Sequence, residues 1–159
     1  MKNIWYYDFS IGILGIAEDG DGVTNIFFKS DKLSKDCTEQ ETPLLRKAAE
    51  QLREYFDGKR KSFELPLSLH GTDFQLADWR ALQTIPYGRT CSYKQIAEKI
   101  GNPKACRAVG MANNRNPVMI VVPCHRVIGQ NGSMVGYAGG LDVKKYLLDL
   151  ENKNSCHEE

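Results

Sequence analysis

The sequence predicts an α/β N-terminal domain followed by a mainly α-helical C-terminal domain that carries a helix-turn-helix. Three observations predict it. The first third of the chain holds short runs of aromatic and β-branched residues split by Gly and Asp, the pattern of strands and tight turns. From Pro43 the apolar residues switch to helical spacing. Beyond residue 71, further helical segments are punctuated by Pro-Tyr-Gly, Gly-Asn-Pro and Gly-rich stretches.

Taken in order, Ile4 to Phe9 and Ile11 to Ala17 read as strands, Glu18 to Gly22 as a turn, and Val23 to Phe28 as a third strand. Ser30 to Thr42 is polar and reads as a loop. Pro43 suits a first helical turn, and Leu44, Leu45, Ala48, Ala49, Leu52 and Phe56 follow at helical spacing until Gly58. The crossover through Pro66 places a domain boundary near Leu67 to Gly71, giving domains 1–70 and 71–159.

Thr72 and Asp73 can cap a helix carrying Phe74, Leu76, Ala77, Trp79, Leu82 and Ile85, which Pro86-Tyr87-Gly88 breaks. Ser92 can cap a helix from Tyr93 to Ile100, stopped by Gly101-Asn102-Pro103. Lys104 to Asn113 forms the next helix. These two helices have the outline of a helix-turn-helix, with Arg107 on the second. A strand over Val118 to Val122, a Gly-rich turn region over Gly129 to Gly140 and a last helix from about Leu141 to Asn152 complete the chain.

Composition narrows the function classes. A 42% hydrophobic and 26% charged content in 159 residues is that of a globular protein. No segment resembles a signal peptide, and the apolar run Val118 to Val122 is too short to span a membrane, so the expectation is a cytoplasmic protein with no membrane partner. The five cysteines are odd in number and follow no framework, which favours free thiols over disulfides. No Cys and His spacing suggests a metal site, and neither a metal nor a cofactor is expected. Charge is uneven. Residues 86–126 hold seven Lys and Arg against the single acid Glu98, while residues 1–71 hold ten basic and twelve acidic residues. Such a basic block is either a solvated face or the footprint of a polyanion.

The segment richest in chemistry is Pro123-Cys124-His125-Arg126-Val127-Ile128. A thiol beside an imidazole and a guanidinium is suited to forming thiolate, because nearby positive charge lowers a thiol pKa. An isolated cysteine is ordinarily a small buried hydrophobe, and Cys37, Cys91, Cys106 and Cys156 are read that way.

The run Asn116 to Ile128 resembles the active-site signature of the O6-alkylguanine-DNA alkyltransferases. Pro86 to Ala97 and Gly101 to Gly110 resemble that family's helix-turn-helix, while Gly136 to Leu141 and Lys144 to Glu151 resemble its C-terminal end. The likeness covers about half the chain; the first third matches only in outline. It implies a ribonuclease-H-like α/β domain and a winged-helix-like domain. It also implies a single-turnover enzyme that moves the alkyl group of O6-alkylguanine, and of O4-alkylthymine, in double-stranded DNA onto its own cysteine. Such a protein would work as a monomer.

The resemblance also implies roles. Cys124 would be nucleophile and alkyl acceptor, His125 its base through a water, and Glu151 the acid that orients the imidazole. Tyr93 would donate a hydrogen bond or proton to the leaving purine. Arg107 would fill the gap left when the base flips out of the stack, and Asn116 would tie the recognition helix to the active-site strand. Carbonyls at Cys124 and Val127 and the N–H at Ala138, beside Tyr137, would contact the guanine. Lys104, Arg115 and Arg126 are candidates for phosphate contacts or structural ion pairs. Two other readings compete. A lesion-sensing DNA-binding protein without chemistry resembles this chain but lacks the cysteine. A cysteine hydrolase would leave the helix-turn-helix unexplained.

Overall fold

The computed structural model describes residues 2–30, 37–129, 131–132 and 140–155; Tyr137, Ala138 and Cys156 lie outside them. The chain forms two compact units, one running to His70 and taking in Pro117–Met119, the other holding Gly71–Asn116 and the chain from Ile120.

The first unit is a four-stranded sheet with one helix. Strands β1 (Lys2–Phe9), β2 (Gly12–Glu18) and β3 (Val23–Phe28) are antiparallel neighbours, and β4 (Cys37–Glu39) runs parallel to β1, giving the order β3-β2-β1-β4. Cys37–Glu39 was expected to be loop. Three residues joined to an edge carry no alternation for a sequence reading to detect, and the pairing partner lies far back in the chain. Helix α1 (Pro43–Phe56) begins where expected, with the Thr42 side chain accepting from the Leu45 N–H. Its buried stripe of Leu45, Ala48, Ala49, Leu52 and Tyr55 forms the core together with Leu14, Ile16 and Ile26.

The second unit is mostly helical. Helix α2 (Asp73–Leu82) opens with a capping box in which Thr72 and Gln75 satisfy each other's backbone N–H groups. It stops short of Ile85, which is buried beyond its end. A two-residue strand, β5 (Cys91–Ser92), leads into helix α3 (Tyr93–Ile100), capped by the same device through Ser92 and Gln95. Gly101 ends α3 at φ 91°, a left-handed turn that glycine adopts without penalty. Helix α4 (Cys106–Asn114) follows, starting later than the expected Lys104; the chain before it is a turn in which the Ala105 N–H donates to the Asn102 carbonyl, and Ala105 makes no side-chain cap.

The expected strand over Val118–Val122 is absent. Val118 makes one isolated bridge to Ile26, and Ile120 takes φ 75°, which turns the chain away from any ladder. Its apolar character reflects burial instead: Val118, Ile120 and Val122 are at most 1% exposed. A positive φ at a β-branched residue is strained and persists only where surrounding packing dictates it. Cys124–Arg126 is then a single 3₁₀ turn rather than an extended strand end, followed by β6 (Val127–Ile128) and helix α5 (Leu141–Ser155). None of the described helices is long and apolar enough to cross a membrane.

Candidate active site

Parallel pairing of β5 with β6 sets Cys91 opposite Val127 and Ser92 opposite Ile128, so the start of α3 lies beside the 3₁₀ turn. Cys124 heads that turn and is 6% exposed. Asn116, just past the end of α4, donates through Nδ2 to the Cys124 sulfur at 3.2 Å and to the Val122 carbonyl at 2.7 Å. One amide thus holds both the thiol and the backbone leading to it.

Burial pushes the Cys124 thiol up to about 11, against the opposing pull of the Asn116 hydrogen bond and the Lys144 charge. The expectation of a ready thiolate, drawn from the adjacent His125 and Arg126, therefore does not hold for the resting thiol. Arg126 is spent elsewhere. Its guanidinium is buried and paired bidentately with Glu151, Nε to Oε1 at 2.8 Å and the second terminal nitrogen to Oε2 at 3.0 Å. Its remaining nitrogen donates to the Ile85 carbonyl at 2.7 Å, and the group stacks over Tyr87 at 5.6 Å. Arg126 is thus a structural ion pair, not a phosphate contact.

Glu151 also takes His125, Nε2 to Oε2 at 2.6 Å, with both side chains essentially inaccessible. Burial alone would raise the Glu151 carboxyl, yet the hydrogen bonds and charges of His125 and Arg126 outweigh it and hold the group at about 2. An ionised Glu151 fixes the imidazole proton on Nε2. Nδ1 is left as the basic nitrogen, buried and without a hydrogen-bond partner among the described residues. Burial, joined by the charges of Arg126 and Lys144, lowers the His125 pKa against the raising pull of Glu151, so the imidazole rests neutral.

Gly88 completes the surroundings of Glu151. Its N–H points at Oε1 at 3.4 Å, from a backbone with φ 77°. A Cβ there would stand 2.6 Å from the Ser155 hydroxyl, so the turn meets α5 only because residue 88 is glycine.

Tyr93, the first residue of α3, is half-buried. Burial and the negative field of Cys124 raise its pKa, so it stays a protonated donor. Arg107 lies exposed in the first turn of α4. The Val127 carbonyl already accepts a hydrogen bond from Lys144 Nζ, which leaves it one lone pair for any ligand. Tyr137 and Ala138 cannot be placed, being outside the described residues.

Lys144 is the residue the sequence reading passes over. It is fully buried, burial lowers its pKa, and its charge interacts with Cys124. The signal was there: Lys144, Leu147 and Glu151 share one helical face at spacings of three and four. The arrangement can do one kind of chemistry well. It can release a buried sulfur nucleophile to an electrophile, with the proton passing to a neutral imidazole whose orientation is fixed by an ionised carboxylate.

Comparison with known proteins places the chain. Residues 4–69 match the model of the 6-O-methylguanine DNA methyltransferase ribonuclease-like domain, and residues 73–153 match that of the 6-O-methylguanine DNA methyltransferase DNA binding domain. The chain is 49% identical over 153 residues to a methylated-DNA–protein-cysteine methyltransferase of Methanosarcina acetivorans, covering 94% of this chain and 97% of that one. It is 48% identical over 148 residues to the constitutive methylated-DNA–protein-cysteine methyltransferase of Bacillus subtilis, covering 89% and 90%. The crystal structure of Mycobacterium tuberculosis OGT in complex with DNA superposes with a TM-score of 0.90 at 44% identity, over 96% of this chain and 94% of that one. With both halves matched and such identity along nearly the whole length, the chain belongs to the 6-O-methylguanine DNA methyltransferase family.

Proposed function

We propose that this protein repairs DNA by moving the alkyl group of O6-alkylguanine, and of O4-alkylthymine, onto Cys124 in a single irreversible turnover. The observation that carries the reading is the environment of the thiol: buried, hydrogen-bonded by Asn116, and on the same 3₁₀ turn as a neutral His125 held by Glu151. A thiol pushed to about 11 is inert toward ordinary electrophiles at neutral pH, and it becomes a nucleophile when its proton is taken as the bond forms.

In the step, the Cys124 sulfur attacks the alkyl carbon, an S–C bond forms and the C–O6 bond breaks. The thiol proton passes to His125 Nδ1 through a water, and the electron pair leaves with guanine O6. Tyr93 donates to the purine as that charge develops. Lys144, whose field favours the sulfur anion, lowers the cost of the same moment. The thioether has no route back to thiol, so each protein accepts one group. Access to a buried sulfur requires the base to leave the helix, at a cost of a few kcal/mol. Arg107, exposed at the start of α4, is the side chain we assign to the gap.

The protein acts as a monomer on double-stranded DNA in this reading. Titrating a duplex that contains O6-methylguanine with the protein tests it. Lesion loss should rise in proportion to protein and stop at one per chain without any added cofactor. Tight binding with no lesion loss would return the chain to the lesion-sensing reading.

A further inference from the structure

Asp78 is a buried carboxylate that the reaction above does not use. It lies on α2, is wholly inaccessible, and faces the last turn of α4. With the Asn113 amide nitrogen turned toward it, Asn113 donates to Asp78 Oδ2 at 2.6 Å and Oδ1 at 3.2 Å, and to the Val109 carbonyl at 3.1 Å. The next residue of α2 grips the same turn: Trp79 Nε1 donates to the Ala112 carbonyl at 2.9 Å. The Asn113 carbonyl in turn accepts the Asn116 N–H at 3.2 Å, and the Asn116 side chain reaches the Cys124 sulfur at 3.2 Å. A continuous path of hydrogen bonds and one short stretch of backbone therefore joins Asp78 to the thiol.

We propose that Asp78 is a positioning residue for Cys124: through Asn113 and Asn116 it sets where the thiol's hydrogen-bond donor stands, and its negative charge resists formation of the thiolate. This rests on Cys124 being the reacting thiol. Two properties of the molecule support it. The field of Asp78 raises the thiol, opposing Lys144 and Asn116. Burial raises the carboxyl, and the two Asn113 hydrogen bonds favour its charged form against that rise. The other titratable groups around the thiol are His125 and Tyr93, with Lys144 on α5 and Glu151 behind the imidazole. Asp78 opposes the thiolate from α2, and Lys144 favours it from α5. A negatively charged Asp78 keeps the resting thiol protonated and unreactive toward chance electrophiles, while the amide path keeps its donor in register.

The test reads Cys124 without DNA. Alkylation by iodoacetamide, followed at the Cys124 peptide by mass spectrometry across the alkaline range, gives the midpoint of thiol ionisation for the native chain, Asp78→Asn and Asp78→Ala. Both variants remove the charge; only Asp78→Ala also removes the tie to Asn113. The Asp78→Asn midpoint should fall by about one pH unit, making the thiol about tenfold more reactive at a fixed pH below it. The Asp78→Ala midpoint should lie above that of Asp78→Asn, because the donor to the sulfur is loosened. A role confined to packing would lower the melting temperature and leave the midpoints alone. Superimposed native and Asp78→Asn profiles would overturn the proposal, and equal shifts in the two variants would overturn its positioning half. Native protein supplies a check that needs no Asp78→Ala fold. The side-chain amide NMR signals of Asn113 and Asn116 should move together as Asp78 is protonated on acidification and stay still in Asp78→Asn. Signals that fail to move in the native chain would also overturn it. Because iodoacetamide needs no lesion, failure here is separable from failure of the alkyl-transfer reading.

Discussion

Arg126 and Glu151 form a buried bidentate ion pair, at 2.8 and 3.0 Å, and the carboxylate of that pair is the one that holds His125. The fold and the proposed base thus depend on the same group. Removing one member of a buried pair strands the other, at about 3–5 kcal/mol. Arg126→Met should therefore lower the melting temperature sharply and slow alkyl transfer, while a surface change such as Lys145→Met should do neither. Thermal melts and single-turnover rates on the same samples check both effects.

The same pair predicts a pH limit. Glu151 ionises at about 2 in the fold, below the ordinary 4.5. A depressed carboxyl stabilises the fold fully above its ordinary value, and the contribution is lost as pH falls through the folded one. Stability should therefore decline as pH drops from about 4.5 toward 2, and Glu151→Gln should flatten that decline. Urea melts over this range measure it. An equally steep decline in Glu151→Gln would assign the acid sensitivity to other carboxylates.

Lys144 lies on the other side of the thiol. Lys144→Met removes a charge that favours the sulfur anion, so the Cys124 midpoint should rise, and transfer should slow by about tenfold per unit of rise. Methionine keeps most of the buried volume but removes the donor to the Val127 carbonyl, so the fold should lose about 1–3 kcal/mol. A pH–rate profile for the variant reads the shift.

Gly88 offers a steric test. Alanine there must hold φ near 77° and bring a Cβ to within 2.7 Å of the Ser155 Cβ and hydroxyl. Gly88→Ala should cost about 1 kcal/mol or more from the backbone conformation alone. Adding Ser155→Gly should recover the steric share and leave the conformational one. A double-mutant cycle of melting free energies with no coupling would contradict the contact.

Much of this site was legible in the chain. Ser92, and Thr72 with Asp73, announce capped helix starts through local rules, and both helices begin there. The Pro-Cys-His-Arg run pointed to the thiol and imidazole, and Glu151 came only from the resemblance of the last helix to that of the alkyltransferases. What the chain hid were pairings set by tertiary packing. Arg126 looked like a source of positive charge for the thiol until Glu151 took it. Asp78 meets Asn113 only because α2 packs on α4. The apolar run through Ile120 looked like a strand, and nothing local announces its φ of 75°. Three-residue β4 carries too few positions for a pattern.

Alkylation itself should change the protein. Cys124 is nearly closed off and its sulfur accepts from Asn116 at 3.2 Å, so an added methyl both crowds the site and disturbs that bond. Overpacking costs about 1–3 kcal/mol. Methylated protein should melt below the free form; an unchanged melt would mean the site had room to spare.

The central claim is that Cys124 is consumed by one alkyl group from DNA. Intact mass of the native chain and of Cys124→Ala, after incubation with a duplex bearing one O6-methylguanine, tests it most directly. The account predicts one methyl in place of the thiol proton, saturating at one per chain, mapped to the Cys124 peptide and missing from the variant. A native chain that removes the lesion with no change in mass, or a Cys124→Ala chain that still gains a methyl, would contradict it.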